Sequence, residues 1–170
     1  WLVTIVVAML PILELRGALP IANQVFGIPL LPALGLAILG NLIPVIPILL
    51  FLGPVSEWLQ QFPFFDRFFP WLFARTRSKS EMIQKYELIG LMLFVAVPLP
   101  ATGAWTGCVA AFLFGIKFWP ALVAISLGVV IAGAIVTMLI LMGIWGAIIA
   151  GLVLSAMAVG LATFSPFGRQ

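Results

Sequence analysis

Apolar residues run almost unbroken along this chain, and the few interruptions fall at particular places. Two apolar stretches, 30–53 and 118–141, are long enough to cross a bilayer, since about 20 helical residues span its hydrocarbon core. A third, 144–165, predicts a last crossing helix after a turn at Gly143. Shorter apolar arms flank two breaker-rich tips. In the first half the arms are 1–13 and 18–28, around the tip from Pro11 to Pro20. In the second they are 88–97 and 104–116, around Pro98-Leu-Pro-Ala-Thr-Gly103. Arms of this length are too short to cross alone. Paired and joined by Pro and Gly, they predict re-entrant hairpins over 1–28 and 88–116. An ordinary crossing with a kink is the alternative.

The two halves repeat. Residues 22–40 (ANQVFGIPLLPALGLAILG) and 110–128 (AAFLFGIKFWPALVAISLG) match at nine of nineteen positions at a constant offset of 88. Shared apolar composition gives a match at roughly one position in ten, so a duplication is the better account. The predicted fold class is an all-α integral membrane protein. It has one repeat over 1–53 (hairpin 1–28, helix 30–53) and a connecting loop over 54–87. A second repeat covers 88–143 (hairpin 88–116, helix 118–141), and an extra C-terminal helix covers 144–165.

Composition agrees with the pattern. Of 170 residues, 64% are hydrophobic and 8% charged, with a mean hydropathy of +1.30. A soluble domain is about half apolar and about a quarter charged, so the surplus here must face lipid. That excludes a soluble enzyme and a nucleic-acid binder. With no His and one Cys (Cys108), disulfides, His- or Cys-based metal sites and Ser-His or Cys-His catalysis are excluded too. No enzyme activity, cofactor or metal is expected.

Nine of the thirteen charged residues lie between Glu57 and Glu87, mixed with Phe62, Phe64, Phe65, Phe68, Phe69, Trp71 and Phe73. Rings and cations together suit a headgroup layer, so 54–87 reads as a loop with interfacial helices; a solvated linker is the plainer reading. A hairpin returns to its own side and the helix after it crosses, so the two repeats are inverted relative to one another. That topology puts the basic loop, Lys117 and Arg169 on one side, which the positive-inside rule makes cytoplasmic. The expected location is the plasma membrane of a prokaryote, with loop 54–87 and the C-terminus in the cytoplasm. Inverted repeats with broken helices are a transporter pattern, with the substrate site where the tips meet.

Glu14 and Arg16 are the only charges before Glu57. Charge at membrane depth is costly and usually marks a substrate or proton path. Arg16 can grip a phosphate or carboxylate with its planar fork of donors. The helix end near Gly17 would add backbone N–H groups to the same anion. Glu14, held in a dry site, could exchange a proton during transport. Both residues could instead be helix caps at the water interface. The second tip offers Thr102, Trp105 and Thr106 as donors, with Gly103 allowing close backbone approach; Gly103 and Gly107 also fit small-residue helix packing. Asn41 is a rare amide in a spanning segment, able to line the pathway or to hold helices together. The candidate substrate site is therefore Arg16, Gly17, Asn41, Thr102, Gly103, Trp105 and Thr106, with Glu14 as the proton-coupling group.

Several motifs are familiar. ELRGALP (14–20), LGNLIP (39–44), FLGP (51–54), YELIG (86–90), PLPATGAWTG (98–107) and LGVVIAG (127–133) each resemble stretches of the family called putative small multidrug export proteins. That family is similar, distantly, to the DedA (VTT) superfamily. The resemblance implies facing re-entrant hairpins and proton-linked translocation of polyprenyl-phosphate or other lipids. DedA proteins carry acidic and arginine residues around both hairpins, whereas here only the first tip is charged. Three functions follow as expectations: a translocase of an anionic or other amphipathic lipid, an exporter of lipophilic cations that uses Glu14, and a non-transporting membrane scaffold that uses the aromatic loop. The expected partners are membrane lipid, the amphipathic substrate, protons and a second copy in a homodimer.

Overall fold

The computed structural model describes residues 1–59, 81–98 and 102–164. The aromatic loop from Gln60 to Ser80, the middle of the second tip and the C-terminal Arg169 lie outside the described residues, so the interfacial-helix reading does too. All regular structure among the described residues is helical.

The helices are α1 (Leu2–Met9), α2 (Glu14–Pro20), α3 (Leu30–Leu42), α4 (Val45–Leu59), α5 (Glu81–Ala96), α6 (Ala104–Leu113), α7 (Phe118–Leu141) and α8 (Ile144–Phe164). Two stretches are long and apolar enough to cross a membrane, Leu30–Pro54 and Phe118–Leu141.

Local chemistry accounts for the breaks. Pro20 has no N–H to return to the Arg16 carbonyl, so the α-helical ladder cannot continue through it unchanged. The chain responds with a π turn over Ile21–Val25, in which the Phe26 N–H donates to the Ile21 carbonyl at 3.2 Å. Asn23 Nδ2 closes the following turn on the Ile28 carbonyl at 3.0 Å. Pro44 interrupts the first long stretch in the same manner, so α3 and α4 are separate helices meeting at residues 43–44.

The interior is built from small side chains. Eleven of the twenty-one buried apolar residues among those described are Ala, including Ala8, Ala33, Ala104 and Ala121. Leu15, Leu19 and Ile125 are buried among them, but many other large apolar residues point outward: Ile12 is 91% exposed and Leu31 79%. In water that distribution would be costly. In lipid the tails are as apolar as the side chains, and small residues let helix backbones approach closely.

The two similar segments carry matching local structure. Gly27 and Gly115, 88 residues apart, both sit in the left-handed region (φ 62° and 67°), and α3 and α7 begin three residues after each. Each long helix is crossed closely by the first arm of its own half. A Cβ at Gly40 would lie 2.5 Å from the Ile5 carbonyl oxygen and 2.8 Å from Ala8 Cβ. One at Gly128 would lie 2.7 Å from the Met92 carbonyl oxygen and 2.7 Å from Val95 Cβ. α1 thus packs on α3 as α5 packs on α7. Between the halves, α2 and α3 pack on α7 and α4 packs on α6; the C-terminal helix α8 packs on α7.

Candidate functional site

The two tips meet. Four helix ends converge there: the C-terminal ends of α1 and α5, and the N-terminal ends of α2 and α6. Helix ends leave backbone N–H and C=O groups without intrahelical partners. In hydrocarbon each such group costs several kcal/mol if nothing satisfies it. The side chains of each tip satisfy the ends of the other.

Glu14 opens α2 and reaches across to α6. Its carboxylate Oε1 accepts from the Trp105 N–H at 3.4 Å, and the side chain is buried, 5% exposed. A carboxylate at a helix N-terminus opposes the positive end of the dipole and takes up a free donor. Glu14 holds this position with φ +48°, the one non-glycine residue with positive φ among those described. Such a conformation costs on the order of 1–3 kcal/mol and persists only where its surroundings enforce it. Gly103, just before α6, leaves room for the carboxylate: a Cβ there would overlap Glu14 Oε2.

Arg16 reaches the other broken end of the second half. Its Nη2 donates to the Val95 carbonyl at 3.3 Å and to the Val97 carbonyl at 3.2 Å, at the end of α5. A cation at a helix C-terminus meets the negative end of the dipole. Thr102 Oγ1 donates to the same Val97 carbonyl at 2.9 Å. The return contact comes from Trp105, whose indole Nε1 donates to the Met9 carbonyl at 3.1 Å, at the end of α1. Arg16 is the third residue of α2 and Trp105 the second of α6. The first turn of the second arm in each half thus supplies a long donor to the first arm of the other half, from positions one residue apart in the repeat.

The remaining sequence-predicted residues divide. Thr106 Oγ1 donates back to the Gly103 carbonyl at 3.3 Å, within its own tip. Gly17 packs against the Leu13 side chain. Asn41 is buried on α3, 3% exposed, and its Oδ1 has no hydrogen-bond partner. Cys108 is buried, with Sγ 3.9 Å from the Val45 carbonyl.

A cavity of about 690 Å³ opens beside the tips, between them and the α7–α8 pair. Its walls are apolar, with Ile135, Leu139, Ile140, Ala147 and Val153 among them. Among the described residues, Arg16 is the only charged one in its lining, and Gln24 is the other polar side chain there. Glu14 is not in that lining, nor are Gly17, Asn41, Thr102, Gly103, Trp105 and Thr106. The sequence reading did not include Gln24 or the α7 and α8 wall residues, because nothing in an apolar helix marks the face that borders a cavity. No group of His, Cys, Asp and Glu suited to a metal occurs among the described residues.

The sequence matches, over residues 14–135, the family described as "Putative small multi-drug export protein", and the chain belongs to that family. With its long apolar helices, this makes it a membrane protein. No curated protein and no solved structure matches it.

Proposed function

From that membership, we propose that the protein is a small transporter that moves an amphipathic anion across the membrane, of the lipid-phosphate type. The observation that carries this reading is the large cavity, apolar in its walls with one cation at the tip end. An acyl or isoprenoid chain suits such walls. A phosphate suits the guanidinium fork. A volume of about 690 Å³ falls within the usual range for a ligand site. In this reading the paired short arms are re-entrant, the two repeats are inverted, and the basic loop and C-terminus face the cytoplasm of a prokaryotic cell. Glu14, between the tips, couples movement to protons, and a homodimer completes the assembly.

Export of lipophilic cations is the second reading. It needs an acid facing the substrate, and the Glu14 carboxylate instead faces the start of α6 and stands outside the cavity lining. A non-transporting scaffold would work through the aromatics from Phe62 to Phe73.

The test is polyprenyl-phosphate movement across liposomes that contain the purified protein, with an imposed proton gradient of either sign. Native protein should move the lipid. Arg16→Ala should abolish movement, and Arg16→Lys, which keeps the charge but not the fork, should restore part of it. No movement by the native protein overturns the reading. Movement of a cationic drug that survives Arg16→Ala and is lost in Glu14→Gln would favour the second reading. Tolerance of both changes, with loss of function when Phe62 to Phe73 are replaced, would favour the scaffold.

A further inference from the structure

A second void, far smaller, lies where α2, α3, α5, α6 and α7 come together. Glu14, Arg16, Asn41, Val95, Gly103 and Ala132 are among its lining residues. Its free volume is about 10 Å³. That is roughly the space one water centre needs, with none left for a second.

The walls call for a ligand. Asn41 Oδ1 is buried and accepts nothing. A buried carbonyl of this kind carries the full penalty of its lost hydration unless a donor reaches it, and native structures meet such groups with protein or ordered water. Glu14 is the other acceptor side chain in the lining. Its carboxylate receives the Trp105 and Ala104 N–H groups, and with about four lone-pair sites it has room for a further donor.

Charge decides what the void takes. Arg16 lines the same void, and the Glu14 carboxylate lies at the positive end of α6. An added cation would be drawn to Glu14 but repelled by Arg16 and the helix end, and two side-chain oxygens fall short of the six or more that a hard cation takes; an added anion would be repelled by Glu14. A neutral ligand with two donors matches two acceptors, and it must be no larger than one heavy atom. We propose that this void is a site for a single water molecule, which donates to Asn41 Oδ1 and to the Glu14 carboxylate. Asn41 is then a positioning residue: through the water it holds that carboxylate against the second tip.

The water also gives Glu14 a proton partner on the side away from the large cavity. That use rests on the transport reading; the water site does not. The titratable groups near the carboxylate are Arg16 on its own helix and the Cys108 thiol one turn into α6. α3, α5 and α7 present Asn41, Val95, Val129 and Ala132 to the void, none of them charged.

The experiment is a structure of the full chain in lipid nanodiscs, at a resolution that shows ordered waters. One peak should lie within about 2.7–3.2 Å of both Asn41 Oδ1 and a Glu14 oxygen. A void that is empty in the native protein overturns the proposal. Ala132→Val adds methyl groups to the void without touching a polar atom, and the peak should be lost. Infrared spectra supply the second readout. The Glu14 carboxyl band, identified by its loss in Glu14→Gln, should shift in the same direction in Ala132→Val and Asn41→Leu, because both remove the same water. A band unmoved in both variants overturns the positioning role. Neither readout depends on transport, so an inactive liposome preparation leaves the water site standing, and a dry void leaves the transport reading standing.

Discussion

Gly103→Ala puts the contact between the tips to the sharpest test. The added methyl would overlap the Glu14 carboxylate, and Gly103 has φ +150°, a conformation that side-chain-bearing residues rarely adopt. Backbone strain of this kind costs about 1–3 kcal/mol. Expelling the carboxylate also breaks its hydrogen bond to the Trp105 N–H, and hydrogen bonds to charged groups contribute about 1.5–3 kcal/mol. The single variant should therefore lose about 2.5–6 kcal/mol, a large part of what a domain of this size has. A double-mutant cycle separates the two contributions. In a Glu14→Ala background there is no carboxylate to displace, so Gly103→Ala should cost only its backbone strain. The coupling between the two positions should be about 1.5–3 kcal/mol. Reversible unfolding in mixed micelles, at matched lipid and detergent, measures all four corners. If the two costs simply add, to within about 0.5 kcal/mol, then Glu14 is not seated over Gly103 and the capping account of the tips fails.

Three further outcomes follow from the same geometry. Trp105→Phe keeps the ring's bulk and loses the bond to the Met9 carbonyl, so unfolding free energy should fall by about 0.5–1.5 kcal/mol; an unchanged value refutes the role of the indole N–H. Arg16→Lys replaces a fork that reaches two carbonyls with a single ammonium, and should destabilise by about 1.5–3 kcal/mol in the same unfolding measurement. Gly40→Ala and Gly128→Ala each place a methyl into a helix crossing, so each should cost about 1–3 kcal/mol; a neutral result at either one, by thermal unfolding, would show that its crossing is looser than the backbone distances require.

Much of the fold could be read from hydropathy, because in lipid the solvent itself selects apolar helices. The all-helical class and the two long apolar stretches follow from that rule alone. The family could be read from ELRGALP and PLPATGAWTG, which 14–135 contains. Hydropathy reads solvent and not hydrogen bonding, so it misses what happens inside an apolar run. It gives no sign that Pro20 passes into a π turn, or that Pro44 divides 30–53 into two helices. It also places the first arm of the second half at 88–97, because Glu81, Lys85 and Glu87 lower the local mean, whereas the helix runs back to Glu81. The candidate residues were legible as a set, since rare polar groups in an apolar chain stand out. Their division of labour was not. Whether Arg16 faces a cavity, a carbonyl or both depends on where the other tip lies, and no local pattern encodes that.

The asymmetry of the two tips makes sense on this basis. By sequence the first tip holds both charges and the second holds none, although residues 22–40 and 110–128 share nine of nineteen positions. Hydrogen bonding across the tips shows whom those charges serve. Glu14 meets the positive end of α6 and Arg16 the negative end of α5, both in the second half. A broken helix has two dipole ends of opposite sign, so one acid and one base at i and i+2 suffice for both if they point apart, as an unwound start of α2 allows. The second tip therefore needs no charge of its own, and for the end of α1 it returns a neutral donor, Trp105. Charges placed on both tips would set like groups close together at a single low-dielectric junction, where repulsion is strongest. One charged tip and one neutral tip is thus the arrangement that satisfies three of the four broken ends with Glu14, Arg16 and Trp105, and it leaves Arg16 at the edge of the large cavity.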